Sequence, residues 1–179
     1  MSNKELLGDL DMDMDIDEME MSPEFVDMSL GTYVLRIAGM TQKDIELEGD
    51  DDDVVQGTRL NIIFQIVGIV AAEMPAPEVG GIFSYGGIMQ FQIARDQLVR
   101  VTKKAVKLAN PDFFSQKRNL GEIFQEMIAL YDENNLLECN ITLRDEKYPQ
   151  IRTMKRVGPE SVEGLDWSNF SKASFEWTP

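Results

Sequence analysis

One alternating segment, Thr58–Val70, constrains the fold more strongly than any other part of the chain. Alternate side chains form an apolar face, which consists of Leu60, Ile62, Phe64 and Ile66. The side chains between them form a mixed face, which consists of Arg59, Asn61, Ile63 and Gln65. This period of two, with β-branched and aromatic residues, predicts a long central strand. Gly68 interrupts the alternation and predicts a bend or bulge. A long, bent strand of this kind is typical of a small, strongly curved sheet or a barrel.

Shorter patterns on both sides of this segment predict four further strands and two helices. The predicted strands are Gly31–Ala38, Ile82–Tyr85, Leu137–Arg144 and Pro149–Val157, with another alternation over Ile88–Ile93. The predicted helices are Leu120–Tyr131 and Ala94–Ala109, in which the apolar residues Leu98, Val101, Ala105 and Leu108 recur at helical spacing. The predicted connections are a long, polar, solvated loop at Gly39–Gly57, a turn or bulge at Gly86–Gly87 and a hairpin at Asp145–Tyr148.

The order of these elements predicts a mainly β fold of the α+β class: an OB-type five-stranded barrel with the helices between strands 3 and 4. In such barrels the second and third strands and the flanking loops bind oligonucleotides or oligosaccharides. The chain then has three parts, which are a disordered acidic arm at 1–29, an OB-like domain at 30–157 and an aromatic C-terminal tail at 158–179.

The two terminal segments differ sharply in composition. Residues 1–30 contain ten acids and one base, and the acids alternate with Met12, Met14, Ile16, Met19 and Met21. Like charges at every second position repel, so the pattern indicates a disordered acidic-hydrophobic arm rather than a strand. Such an arm serves solubility, or it acts in self-inhibition or recruitment, because carboxylates can mimic phosphates in a basic groove. The tail carries four aromatic residues that either dock on the domain or insert into a partner, namely Trp167, Phe170, Phe175 and Trp177.

The composition argues against several classes of catalytic and metal site. The chain has no histidine, which removes Ser-His-Asp and Cys-His catalysis and every zinc site that contains histidine. The single cysteine, Cys139, lies in an alternating strand and is predicted to be a buried core thiol. The acidic run Asp50–Asp53 lacks the alternate ligands and closing Glu of a calcium loop. We therefore predict a protein that is not an enzyme and that uses no cofactor and no metal.

The distribution of charged and apolar residues predicts a soluble, cytoplasmic protein without membrane contact. The sequence shows no basic signal peptide and no apolar run of about 18 residues. The formal net charge is -15, yet residues 54–158 contain 13 Lys or Arg against 11 acids. The first predicted helix carries a basic stripe, which consists of Arg95, Arg100, Lys103, Lys104 and Lys107. This stripe is either a solvated face or a contact for nucleic acid or another anionic partner.

Four stretches together resemble a known family. GTYVLRI, TRLNIIFQIVGIV, the central helix and ECNITLRDEKYPQIRTMKRV are similar to small phage-encoded single-stranded DNA-binding proteins of OB type, from replication and recombination cassettes. The resemblance covers about residues 30–157. It implies sequence-nonspecific binding of single-stranded DNA in support of phage DNA replication or recombination, in the host cytoplasm. Such proteins usually carry their acidic tail at the C-terminus, whereas the acidic segment of this chain is N-terminal.

A protein that binds single strands needs cations along the phosphates and aromatic faces on which bases stack. The predicted nucleic-acid-binding residues are Arg36, Arg59, Asn61, Phe83, Tyr85, Tyr148, Arg152 and Arg156. The alternative is that Phe83 and Tyr85 belong to the core and that the arginines are ordinary surface residues. The predicted partners are single-stranded DNA and replication or recombination proteins that meet the arm or the tail, and the pattern is compatible with a homo-oligomer.

A second class of function remains open from the sequence. A phage virion or assembly protein, without nucleic-acid binding, could use the acidic arm and the aromatic tail to reach neighbouring subunits. Convergence of Arg36, Arg59, Arg152 and Arg156 on one groove favours DNA binding, whereas scattered arginines favour the assembly protein.

Overall fold

The computed structural model describes residues 24–50, 53–131 and 134–164. This part of the chain is mainly β, as predicted, with five antiparallel strands in one open sheet of order β3-β2-β1-β4-β5. The strands are β1 Gly31–Glu48, β2 Val54–Ala72, β3 Ile82–Ile88, β4 Leu136–Arg144 and β5 Tyr148–Val157. Two helices, α1 Gln92–Ala109 and α2 Leu120–Leu130, follow β3 in the chain and precede β4, and the 3-10 turn Pro111–Ser115 lies between them.

Strand β2 is the centre of the core, and its predicted apolar face is confirmed. Leu60, Ile62, Phe64 and Ile66 are all buried in the main hydrophobic cluster. The opposite face is buried as well around Val67, which packs with Val34 and Leu136 in a second, smaller cluster. A register shift next to Gly68 leaves Val67 as an extra residue opposite β1, so the predicted bulge is present.

The two helices cover the face of the sheet that carries the main cluster. Helix α1 contributes Leu98, Val101, Ala105 and Val106 to this cluster, and α2 contributes Ile123, Phe124 and Met127. The hydroxyl of Tyr131, just after α2, donates a buried hydrogen bond of 2.6 Å to the carbonyl oxygen of Ala105 in α1. This bond joins the end of α2 to the middle of α1 at a point where water is excluded.

The predicted long loop at Gly39–Gly57 is wrong over most of its length. Strand β1 continues to Glu48 and β2 begins at Val54, and the two pair from Met40↔Ile62 to Glu48↔Val54. Strand β4 pairs only with Gly31–Leu35 of β1, and β3 ends opposite Arg59 of β2. The outer halves of β1 and β2 therefore form a ribbon that is two-stranded from Thr58 to its tip. A ribbon whose faces are largely open to water needs no apolar alternation, and its polar sequence therefore resembles that of a loop.

The predicted break at Gly86–Gly87 is also corrected, because β3 continues through both glycines to Ile88. A Cβ at Gly86 would lie 2.1 Å from the carbonyl oxygen of Leu60, and the φ of this residue is +152°. The glycine therefore permits the close approach of β3 to β2. The predicted alternation over Ile88–Ile93 does not form a strand, since α1 already begins at Gln92.

Residues 24–29, assigned from the sequence to the acidic arm, contact the start of β3. The backbone N–H of Val26 donates to the carbonyl of Ile82 at 2.9 Å, and the N–H of Ile82 donates to the carbonyl of Glu24 at 3.0 Å. The side chain of Met28 is buried in the main cluster. The remainder of the predicted arm, 1–23, and the aromatic segment 165–179 lie outside the described residues.

Candidate nucleic-acid interface

Two of the predicted stacking rings belong to the core. Phe83 and Tyr85 of β3 are each 3% exposed. The ring of Phe83 stacks on Phe64 with a centroid distance of 5.5 Å, and Tyr85 meets Phe64 edge-on at 6.5 Å. This is the alternative that the sequence left open, because α1 covers the face of β3 on which both rings lie.

The four predicted arginines contact different positions of the sheet. Arg36 Nε donates to the side-chain oxygen of Gln65 on β2, and Arg156 Nε donates to Asn135 Oδ1 at 2.8 Å, beside the start of β4. Arg59 is exposed in the ribbon, where it pairs with Lys43. Arg152 Nε donates to Thr142 Oγ1 at 2.9 Å. Of the four, Arg152 alone lines the groove described next.

A groove runs along α1 where this helix contacts β3 and β5, which are the two edges of the open sheet. Its first section has a volume of about 150 Å³ and is lined by Asn61, Ser84, Tyr85, Gly86, Ala94, Gln97, Arg144, Tyr148, Pro149 and Gln150. The second section, about 100 Å³, is lined by Arg100, Val101, Lys104, Ile151, Arg152, Thr153 and Met154. The two sections follow one another along both α1 and β5, and we call them together the seam groove.

The hydroxyl of Tyr85 lies at the wall of the seam groove. It is a buried side-chain oxygen without a hydrogen-bond partner among the residues that the structure describes. Burial raises the pKa of this phenol, and the guanidiniums of three arginines act in the opposite direction, namely Arg100, Arg152 and Arg144. Arg100 has the largest of these effects, through its charge and its hydrogen-bonding approach to the hydroxyl, although the two side chains do not reach full hydrogen-bond geometry. Three cations that line the groove thus lie close enough to lower the pKa of one buried hydroxyl.

The acidic side chains of the described residues neutralise these cations only weakly. In the described ranges, the salt bridges of the chain involve neither Arg100 nor Arg152. Arg144 approaches Asp145 at 3.9 Å, and both side chains of this pair are largely in solvent. A long, exposed ion pair of this kind contributes little. The seam groove therefore offers its guanidiniums to an external anion.

An exposed aromatic ring stands at the end of the seam groove. Tyr148 is 48% exposed, and Arg144 and Lys147 lie over its ring at 5.4 and 5.6 Å from the centroid. The tight turn before it places Asp145 and Glu146 at φ values of 53° and 57°. The hairpin between β4 and β5 thereby presents one ring and two cations side by side.

The seam groove contains two of the predicted residues besides Arg152 and Tyr85, namely Asn61 and Tyr148. Arg144 and Gln97 were missed as site residues, and Arg100 was recognised only as part of the basic helix stripe. The signals for the two arginines were present in the sequence. Arg144 directly precedes the predicted hairpin, and Arg100 lies one helical turn before Lys104, on the same side of α1.

The composition-based predictions concern the metal-ligating and thiol groups of the described residues. Across 24–50, 53–131 and 134–164, no three side chains of Cys, Asp or Glu gather as a metal site would require. Burial raises the pKa of Cys139 to about 12, so its thiol stays protonated and is neither a nucleophile nor a ligand at neutral pH. Within the same ranges, no helix combines the length and the apolar character needed to cross a membrane.

Comparisons of the chain with protein-family models, with curated proteins and with solved structures found no match. The open sheet and the contacts of the seam groove are therefore the basis for a functional proposal.

Proposed function

We propose that the protein binds single-stranded DNA without sequence preference, with the seam groove as the path of the strand. The role that fits this activity is support of phage DNA replication or recombination. The observation that carries the proposal is the lining of the seam groove, which combines the three arginines Arg100, Arg144 and Arg152 with the exposed ring of Tyr148.

Each part of the groove suits one part of a nucleotide. Guanidiniums bind phosphate oxygens through paired N–H groups, so Arg100 and Arg152 would hold the backbone. Base stacking on an aromatic ring contributes about 1–3 kcal/mol per base and does not depend on the base, which is the role of Tyr148. The amides of Gln97 and Gln150 can donate or accept, and they suit base edges of any identity.

We further propose that the sheet is an OB-type barrel left open between β3 and β5. OB folds are five-stranded and partly open, and they bind ligands on strands 2 and 3 and on the 1–2 and 4–5 loops. Asn61 and Ser84 of β2 and β3 line the seam groove, as does Tyr148 at the 4–5 hairpin. The 1–2 loop falls at the acidic run Asp50–Asp53, which would repel phosphates, and this end of the surface therefore has no part in the proposal.

The direct test is titration of a fluorescent oligo-dT with the full-length protein and with Arg100→Glu/Arg152→Glu. Each phosphate contact on a single strand contributes about 0.7 to the slope of log affinity against log salt. Three contacts give a slope of about 2, so a fourfold rise in salt should weaken binding roughly 20-fold. The double variant should lose at least about tenfold in affinity at low salt and about 1.4 units of slope.

Lys117→Glu is the control for charge reversal, since Lys117 is exposed between the 3-10 turn and α2 and lines neither section of the seam groove. It should change oligo-dT affinity much less than the double variant does. Absence of binding by the full-length protein at low salt would exclude the proposed function. Equal losses of affinity in the control and the double variant would show that the strand does not bind in the seam groove.

Arg59→Glu tests whether the strand also crosses the exposed side of β2, as the sequence predicts. Arg59 is exposed, so the substitution should weaken oligo-dT binding while the urea midpoint of unfolding stays within error of the parent protein. Circular dichroism of the two proteins provides the check on folding. Unchanged affinity would make this part of β2 scaffold alone, and the seam groove would then be the whole of the site.

A phage virion or assembly protein remains the second candidate. The observation that favours it is the separation of Arg36, Arg59, Arg152 and Arg156, which contact four different positions of the sheet. The same titration distinguishes the two functions. A protein that fails to bind oligo-dT at low salt, yet forms discrete oligomers in sedimentation velocity, would fit this candidate.

A further inference from the structure

A second concave surface lies between the two helices, apart from the hairpin end of the seam groove. This cavity has a volume of about 660 Å³. Its apolar wall is formed by Val99 of α1, Phe114 of the 3-10 turn, and Leu120 and Ile123 of α2. Lys103, Lys104, Lys107, Lys117 and Arg118 also line it. We call this surface the interhelix groove, and it combines an apolar wall with five cations.

The cations of the interhelix groove are held in place but hardly neutralised. Lys103 lies 5.8 Å from the centroid of the Phe114 ring, and Arg118 lies 4.4 Å from that of Phe113. Arg118 approaches Glu122 at 4.0 Å. Among the residues that the structure describes, the lysines of the groove make no ion pair. Their mutual repulsion on adjacent turns is unfavourable, and an acidic ligand would relieve it.

We propose that the interhelix groove binds the acidic-methionine segment 9–21 of the same chain. This segment reads DLDMDMDIDEMEM, in which acids alternate with methionine and isoleucine. Carboxylates complement the five cations, and methionine side chains adapt to irregular apolar surfaces such as the Phe114 wall. A nucleic acid strand would satisfy the cations but would leave the apolar wall without an aliphatic partner. The alternation of charge and apolar side chains therefore fits this groove better than a phosphate backbone does.

The length of chain before the described residues permits this contact within one molecule. Glu24 is fixed beside Ile82 by a backbone hydrogen bond. Met21 stands three residues before Glu24, and Asp9 fifteen residues before it. At up to ~3.5 Å per residue, the two positions can lie as far as about 10 and 50 Å from Glu24. A small domain is about 30 Å across. The part of the segment from Asp9 to Met14, which stands ten to fifteen residues before Glu24, can therefore reach the helices.

The proposal does not depend on DNA binding, although the two surfaces share one residue. Lys104 lines both the interhelix groove and the second section of the seam groove. Segment 9–21 and a DNA strand would therefore compete for the same cation. Weakened DNA binding by the full chain relative to a variant with a neutralised arm would be a consequence, and it is not needed for the test.

Disulfide trapping in the full-length protein tests the contact directly. Cys139 is buried and is the single native cysteine, so it does not interfere with introduced pairs. Met14→Cys is combined with Gln116→Cys in the interhelix groove, or with Ser84→Cys in the seam groove as the control. With oxidised glutathione at low salt and without DNA, the Gln116 pair should close within one chain at least tenfold faster than the Ser84 pair.

Two further arms complete the test. Lys103→Glu/Lys107→Glu should slow closure of the Gln116 pair at least tenfold, and salt near 1 M should do the same, because the screening length falls to about 3 Å. Equal rates for the two pairs, or faster closure at Ser84, would overturn the assignment to the interhelix groove. If the disulfide products link only two separate chains, the proposal that the contact forms within one molecule is wrong. Closure that neither salt nor charge reversal slows would overturn the electrostatic basis.

Discussion

Among single residues, Tyr85 connects the core with the proposed site. Its ring packs edge-on against Phe64 inside the main cluster, while its hydroxyl is buried at the wall of the seam groove. A buried hydroxyl without a partner lowers stability by about 1–3 kcal/mol. We expect the same hydroxyl to donate a hydrogen bond to a phosphate held by Arg100 and Arg152, once the side chains that cover it have moved aside.

Tyr85→Phe should therefore separate stability from binding. Removal of the hydroxyl should leave the free energy of unfolding unchanged or raise it by up to ~1 kcal/mol, because the lost group makes no well-formed hydrogen bond with the described residues. Oligo-dT affinity should fall several-fold, since a hydrogen bond to a charged group is lost. Urea unfolding and fluorescence titration measure the two effects.

Tyr33→Phe is the matched control for this substitution. The Tyr33 hydroxyl donates to the carbonyl of Ser29 at 2.9 Å and lies 2.8 Å from its Oγ. Its loss should lower the free energy of unfolding by about 1 kcal/mol without changing DNA affinity. If the Tyr85→Phe protein loses stability and keeps full affinity for oligo-dT, the hydroxyl does not belong to the proposed site.

The sequence predicts correctly that Phe83 and Tyr85 share a face, because the period of two along a strand fixes this relation. It does not show whether that face is covered. Coverage depends on where α1 packs after the turn that follows β3, and this is decided by contacts between residues distant in sequence. The convergence of Arg100, Arg144 and Arg152 is hidden for the same reason, since they come from three separate elements.

Among the elements, α2 begins with the most completely capped terminus of the described chain. Asn119 Oδ1 accepts from the N–H of Glu122 at 2.9 Å, and Glu122 Oε2 accepts from the N–H of Asn119 at 2.8 Å. This capping box satisfies two backbone donors that the first turn of a helix would otherwise leave without partners. It fixes the start of the helix that supplies Ile123, Phe124 and Met127 to the core.

Asn119→Ala should lower the free energy of unfolding by about 1 kcal/mol, because the side-chain acceptor of the box is lost. Gln125→Ala, at an exposed position within the same helix, should change it by less than about 0.5 kcal/mol. Thermal and urea unfolding of both variants give the comparison. Equal effects would show that the box contributes no more than helix propensity does.

The elements differ in how far the sequence predicts them. Helix α2 and strands β4 and β5 lie within one residue of their predicted bounds at each end, because an apolar stripe or alternation marks each of them. The outer half of β1 was missed, since Gln42–Asp44 and its neighbours are polar and their pairing with β2 leaves no apolar signature. Strand β3 was predicted too short, because glycines normally weaken a strand.

At the scale of the whole molecule, the buried thiol of Cys139 links stability to pH. Burial raises its pKa to about 12, whereas a thiol in the unfolded chain ionises near pH 8.5. Above that value the unfolded chain binds fewer protons than the folded one. The stabilisation is therefore fully present below about pH 8.5 and is lost as the pH rises toward 12. Burial also raises the pKa of Tyr131 to about 12, and its contribution begins near pH 10.

Cys139→Ala should flatten the dependence of stability on pH between 9 and 10. One titrating group changes the free energy of unfolding by up to about 1.4 kcal/mol per pH unit. The variant should lack this contribution to the slope, and its stability near pH 7 should be lower than that of the wild type. Tyr131→Phe should keep the slope in this range. Urea unfolding at closely spaced pH values measures it, and identical slopes for wild type and Cys139→Ala would show that the thiol ionises equally in both states.

The class and the strand number of the architecture were predicted correctly. The sequence also predicts a barrel, whereas the sheet of the described residues is open between β3 and β5. A mainly β chain of five strands follows from alternation and spacing alone. Whether β3 and β5 pair depends on twist, on the bulges in β1 and β2 and on the position of α1. Apart from the bulge that Gly68 marks in β2, none of these features is encoded in a local pattern.

The ribbon formed by the outer halves of β1 and β2 gives the molecule two levels of cooperativity. Near its tip each strand has only the other as a hydrogen-bonded neighbour, and an isolated pair of strands is marginal in water. The tip can therefore open while the five-stranded part stays closed. Amide hydrogens of Lys43–Leu47 should exchange with solvent through this local opening, whereas those of Ile62–Ile66 should exchange only through global unfolding. A measured unfolding midpoint would then describe the sheet but not the ribbon that extends from it.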